Sequence, residues 1–266
     1  MSLARQTRDH VLSLISASAP AKGGGLTPAS LQPEVAPYTP AASIAAAQIM
    51  MRLTHDLRQL KDTKSIDLKI AAKRLMLPEY AAWCDGQLAA GRDSDQQELP
   101  STGADDVLPT VMVWALDVGD WPRALNLAAH VLRFKIALPS RYERDAATLI
   151  VDSVADAALK AHFVSKQRFP LEVLETVDRL TAGIDMHDQP RAKLAKAIGI
   201  ELLAEADATT AGPLAASLLS MRALASLRHA LHLDSRVGVK GQITRLEKAL
   251  GASAVTTEQA GTTPAA

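Results

Sequence analysis

DDVLPTVMVWALDVGDWPRALNLAAHVLRFKIALPSRYERD, residues 105–145, reads as two helices joined by a tight turn, followed by the lead-in to a third. Val107, Val111, Trp114, Ala115 and Val118 recur at helical spacing and make one apolar stripe. Asp106 is placed to cap that helix, and Pro109 sits in the first turn, where its missing N–H costs no hydrogen bond. Gly119 suits the left-handed residue that ends a helix. Asp120 suits the cap of the next, with Pro122 in its first turn. Leu125, Ala128, Ala129 and Leu132 supply a second stripe, and Arg133 and Lys135 fit a helix C-terminus. The small alanines let helices approach closely, so the segment is expected to be an antiparallel helical hairpin.

The rest of the chain extends that reading. Of 266 residues only 3% are aromatic, so a core of this size has to be packed through alanine and aliphatic side chains. Residues 20–40, PAKGGGLTPASLQPEVAPYTP, have the composition of a linker, with a short helix or disorder expected before it. From Ala41 to Leu77 a helix is expected. Met50, Leu53, Leu57 and Leu60 follow the spacing of a coiled-coil seam for about two heptads. Pro78 ends this segment, and a short helix carrying Tyr80, Trp83 and Leu88 follows before the polar loop 91–103.

Beyond the hairpin, helices are expected with Ala147, Val151, Val154, Ala158 and Ala161 inward, then with Leu171, Leu174 and Val177. The next three carry Leu194, Ile198 and Leu202, then Leu214, Leu218, Met221 and Leu224, then Val239, Ile243, Leu246 and Leu250. No segment alternates as a strand would. The fold expected is all-α: an irregular array of antiparallel helical hairpins, tetratricopeptide-like in its C-terminal half. The period is not a strict 34 residues, so it is no true repeat. The division expected is a flexible segment and linker at 1–40, a basic helix and short helix at 41–100, a helical-hairpin domain at 101–250 and a disordered tail at 251–266.

The formal net charge is zero, so charge matters here through its distribution. Within residues 41–77, Arg52, Arg58, Lys61, Lys64, Lys69, Lys73 and Arg74 stand against Asp56, Asp62 and Asp67, seven minus three, leaving plus four. Cations in one helical segment can bind phosphates and release counterions, which makes these seven the candidate DNA-binding residues. An ordinary solvated face is the competing reading. No helix-turn-helix is evident, so no base-reading residue is assigned.

Catalytic candidates are weaker. No GxxxxGK[ST] loop occurs, and Gly23–Gly25 lies in the linker with no strand before it. Asp105, Asp106, Asp117 and Asp120 are explained by helix capping rather than Mg²⁺ binding, and Glu172, Glu175 and Asp178 by a solvated face. Of the seven histidines, His229 and His232 share a helical spacing but lack a third ligand, so all are read as incidental surface residues. Cys84, the only cysteine, is read as a small core residue. No catalytic residue, cofactor or metal site is expected. No apolar run approaches bilayer length, and no signal peptide is evident, so a cytoplasmic protein is expected.

The run 105–145 resembles the central signature of the small terminase subunits of P2-like tailed phages, with TVMVWALDVGDWPRAL (110–125) its most specific part. LMLPEYAAWCDG (75–86), ATLIVDSVADAA (147–158) and SRVGVKGQITRLEKAL (235–250) agree in order, so the resemblance covers about residues 44–250. It implies a non-catalytic subunit that recognises double-stranded phage DNA as a ring-like homo-oligomer in the host cytoplasm. It further implies recruitment of the large terminase subunit, which packages DNA into procapsids and cuts it. Members often carry a basic C-terminal tail. Here Glu258 is the only charged side chain after Gly251, which puts DNA contact from that end in doubt. Two other readings stand beside this one: a tetratricopeptide-like scaffold without DNA binding, and the endonuclease subunit itself.

Overall fold

In the computed structural model, which describes residues 40–92, 94–96 and 99–260, the middle of the expected hairpin becomes the centre of the molecule. Helix α4 (Val107–Val118) is buried on every side from Val107 to Met112 and on through Leu116. It exceeds the one-stripe expectation because Leu108, Met112, Val113 and Leu116 face neighbours that the stripe left out. Those neighbours include α1 (Pro40–Asp62), α2 (Ile66–Met76), a 3₁₀ turn (Leu77–Tyr80) and α3 (Ala81–Arg92) on the N-terminal side. On the C-terminal side are α5 (Trp121–Arg133) and α6 (Ala146–Lys160). Trp114 meets the buried Tyr80 ring edge-on, with centroids 5.7 Å apart.

The turn between α4 and α5 forms as expected. Gly119 takes the left-handed conformation at φ +77°, and Asp120 accepts from the backbone N–H of Arg123 at 3.3 Å. The cap of α4 differs. Asp106 is already helical in backbone conformation and its side chain makes no cap bond, because the chain begins to turn at Ala104. Asp105 instead accepts from the Thr102 N–H and from the hydroxyls of Ser101 and Thr102, tying down the preceding loop. Nor is Asp117 a cap: it pairs with Lys73 of α2. On α5 the buried line is Ala124, Leu127, Ala128 and Val131, while Leu125, Ala129 and Leu132 are only partly covered. The true stripe sits about one position away from the expected one, since both sides of the helix are lined by neighbours.

The following helices pack in sequence: α6, α7 (Leu171–Thr181), α8 (Asp188–Ala208), α9 (Pro213–Leu233) and α10 (Lys240–Ala260). No strand occurs among the described residues, and the protein is all-α. A π-turn, Ala161–Ser165, closes α6 and ends on Lys166 at φ +55°. Helices α8 and α9 approach so closely that a Cβ on Gly199 would lie 2.7 Å from Leu227. Arg168 fastens the entry to α7 onto α8 by donating to the buried Glu201 at 2.8 Å. Lys193 of α8 reaches Asp152 and Asp156 of α6.

Three other expectations change. The single helix over residues 41–77 is two helices: Thr63 folds back on the Gln59 carbonyl, and the Ser65 hydroxyl caps α2 by accepting from Leu68 N–H. On α9 the line Leu214, Leu218 and Met221 faces outward, and Ala223, Leu227 and Ala230 are buried in its place. Helical backbone also continues to Ala260 through residues composition assigns to a disordered tail, in keeping with the high helix propensity of alanine. The segment before residue 40, expected to be a short helix and linker, lies outside the described residues.

The coiled-coil spacing on α1 is taken up within the chain. Leu53 and Leu60 are buried in its own core, with Met50 and Leu57 packed against it. Helices before and after residue 100 contribute to that same core.

Candidate nucleic-acid interface

The site is built from the break between α1 and α2. Helix α1 turns Leu53, Asp56 and Leu60 inward, which leaves Arg58 and Lys61 on its outer side. Asp56 is buried but satisfied: the Tyr80 hydroxyl donates to it at 2.7 Å, and His55 lies 3.2 Å away. Burial and that carboxylate together hold the Tyr80 hydroxyl well above the usual phenol range. Lys64 stands in the three-residue break, and Ser65 starts α2 with its first backbone N–H groups and positive dipole end facing the same gap.

The seven cations divide into two groups. Arg52 pairs with Glu79 at 3.1 Å, Lys73 pairs with Asp117, and Arg74 donates to the Val118 carbonyl at 3.3 Å. These three fasten α1 and α2 to the 3₁₀ turn and to α4. Lys73 is mostly covered, at 17% side-chain exposure, so it presents little charge to a ligand. Arg58, Lys61 and Lys64 are exposed and Lys69 is half-buried, and none of the four pairs with another described residue. Asp62 and Asp67 are the exposed acids beside them. Sequence spacing could not separate the two groups, because the partners of Arg52, Lys73 and Arg74 come from other segments, up to 44 residues away.

A second cationic cleft lies between α3 and α5, about 410 Å³ in volume and lined by Arg92, Arg123, His130 and Arg133. Its cations are largely committed. Arg123 pairs with Asp85 and donates to the Ala81 carbonyl, and Arg133 donates to the Gly91 and Ser94 carbonyls. His130 is not the surface residue expected. It is 6% exposed, its Nε2 lacks a partner, and a Cβ on Gly91 would lie 2.4 Å from its ring. Burial, and secondly the charge of Arg133, lowers its pKa.

The acidic candidates are dispersed into structural roles: Asp105 in its loop, Asp117 on Lys73 and Asp120 as a cap. Among the described residues no three His, Cys, Asp or Glu side chains converge as a metal site would need. His229 and His232 are both exposed on α9. Cys84 is fully buried, and that burial pushes its thiol up to about 12. No helix among the described residues is long and apolar enough to cross a membrane.

Comparison with known proteins bears on this arrangement. A family model described as phage small terminase subunit matches residues 50–189, a span that includes α2, the break before it and the α4–α5 hairpin. The chain is also 36% identical over 203 residues to the "Terminase, endonuclease subunit" of Escherichia phage P2, covering 76% of this chain and 73% of that one. No solved structure matches.

Proposed function

This chain belongs to the phage small terminase subunit family and so has a role in phage DNA packaging, and from that premise we propose that it is the non-catalytic, DNA-recognising subunit of its terminase. In this reading it works in the host cytoplasm as a homo-oligomer. It binds the packaging region of double-stranded phage DNA and brings the large subunit, which does the cutting, to that DNA.

The observation that carries the DNA contact is the segregation at the α1–α2 break. Arg58, Lys61, Lys64 and Lys69 make no ion pair with a described residue, and they fall on the last turns of α1, in the break and in the first turn of α2, in a chain of zero net charge. Phosphate oxygens suit both features: the ammonium and guanidinium groups displace counterions, and the first-turn N–H groups donate to a negative neighbour. Contacts of that kind hold the duplex without reading bases. Of the seven cations, Arg52, Lys73 and Arg74 are assigned a mainly structural role.

The test replaces Arg58, Lys61, Lys64 and Lys69 with glutamine and titrates duplex from the packaging region, and scrambled duplex, across a salt series. The expected result is weaker binding and a shallower dependence of log affinity on log salt, by up to about 0.9 for each phosphate no longer neutralised. Unchanged affinity in the folded variant would remove this site. Incubation of the wild type with Mg²⁺ and duplex is expected to leave the DNA uncut.

A further inference from the structure

Where α6 ends, the chain turns two large apolar side chains out to solvent. Phe163 is 46% exposed and Val164 72%, whereas the other two phenylalanines of the chain, Phe134 and Phe169, are buried. Both exposed residues lie in the π-turn Ala161–Ser165, a widened last turn of a kind common at functional sites. The turn is closed by the Gln167 N–H, which donates to the Ala161 carbonyl at 2.9 Å, and by Lys166 in the left-handed conformation. Just beyond it, Phe169 packs edge-on against Trp121 with centroids 5.1 Å apart, and Arg168 is held by the buried Glu201. The tip is thus anchored on both sides, and its exposed ring is a fixed feature of the surface.

The charge around this ring is of one sign. From Ala157 to Leu171 the sequence holds Lys160, His162, Lys166 and Arg168 and no acidic residue. The acids that reach it from α8, Glu201 and Glu205, lie on Arg168. Lys160 and Lys166 are exposed and make no ion pair with a described residue. Lys160 stands one turn before Val164 and Lys166 two residues after it, so a cation flanks the apolar pair on each side along the chain. The Phe163 ring is backed by the Lys196 ammonium, 5.9 Å from its centroid, and the His162 ring stands across it at 4.9 Å and 86°.

An anchored aromatic ring between unpaired lysines suits a nucleic-acid strand whose bases are unstacked, the ring meeting a base face and the ammonium groups the neighbouring phosphates. A base inside a duplex has no free face to offer. A purely apolar partner would cover the two ammonium groups without pairing them, which is costly. We infer that the tip of α6 holds unpaired single-stranded DNA, with one base stacked on Phe163 and the phosphates beside it on Lys160 and Lys166. The inference rests on the reading of this chain as a DNA-binding subunit, but the site is built from other elements than the α1–α2 break and takes another form of DNA.

The test titrates the full chain with labelled oligothymidylate and, in parallel, with blunt duplex, by fluorescence anisotropy. Circular dichroism establishes that each variant is folded. Phe163→Ala is expected to lose about 5- to 150-fold in affinity for the oligothymidylate, the equivalent of one stacked base, and to keep its affinity for duplex. Phe163→Trp is expected to restore strand binding, with its added indole emission quenched as the strand is bound. Replacing Lys160 and Lys166 with glutamine is expected to flatten the dependence of log strand affinity on log salt, by up to about 0.7 for each phosphate released. Duplex binding without strand binding by the wild type would overturn this inference and leave the α1–α2 site standing. Unchanged strand affinity in Phe163→Ala would also overturn it, as would an equal loss on strand and duplex.

Discussion

Trp114 and His130 show how a single side chain is fixed by what surrounds it. Trp114 is 2% exposed at the centre of the molecule and edge-on to Tyr80, so truncation leaves a hole bounded by rigid helices. Trp114→Ala is expected to cost about 3–5 kcal/mol, read as a lowered denaturant midpoint with an unchanged slope. His130 is held neutral by burial, so its folded-state pKa lies below the unfolded value of 6.5. As pH falls through that range the unfolded chain takes up the proton first, so the contribution of His130 is full above it and is lost below it. Stability is therefore expected to drop between about pH 7.5 and about pH 5.5, and His130→Leu, measured over the same step, to drop less. An equal loss in both proteins would assign the pH response to other groups. The sequence made the burial of Trp114 plain, because its neighbours in helical register are apolar. It concealed that of His130, whose covering residue, Gly91, lies on another helix and contributes by having no side chain.

Helix ends and helix faces differ in how far sequence reveals them. The α4–α5 turn was legible because it depends on residues close in the chain: a glycine that takes positive φ, an aspartate that caps and a proline in the first turn. Gly119→Ala is expected to cost about 1–2 kcal/mol from the left-handed backbone alone. A Cβ there would find ordinary contact with Trp121 at 3.7 Å, so crowding adds nothing. A penalty well above that figure by chemical denaturation would point to a steric cause. The break before α2 was missed although Lys64 and Asp67 interrupt the apolar spacing and Ser65 announces a helix start, because an apolar face resumes at once at Ile66 and Ile70. Periodicity finds the face of a helix but not whether another helix covers it. On α9 Leu214 and Leu218 face solvent, while Leu227, with Ala223 beside it, makes the close contact with α8 at Gly199.

For the molecule as a whole, the all-α class and the basic segment were legible, and the division of that segment into structural and available cations was not. Sequence shows where charges are, and only tertiary packing shows which are already paired. On that division, replacing Arg58, Lys61, Lys64 and Lys69 one at a time leaves stability within about 0.5 kcal/mol of wild type in each case, as expected for surface side chains without an ion pair in the fold. A large drop in stability would mean that these side chains hold the fold, in which case weakened DNA binding would carry no information about contact.

The break before α2 also gives the molecule an electrical polarity that its net charge hides. A chain with as many acidic as basic groups feels almost no net pull in a uniform field, and its copies do not repel one another at long range. Near a polyanion the field is steep, and a neutral body with one cationic corner is turned before it is drawn in. On the proposed reading of the α1–α2 cations as the DNA contact, orientation precedes capture, and the protein reaches the duplex already facing it. This advantage fades with added salt on the scale of the Debye length, about 10 Å at 0.1 M, and faster than the grip of contacts already made.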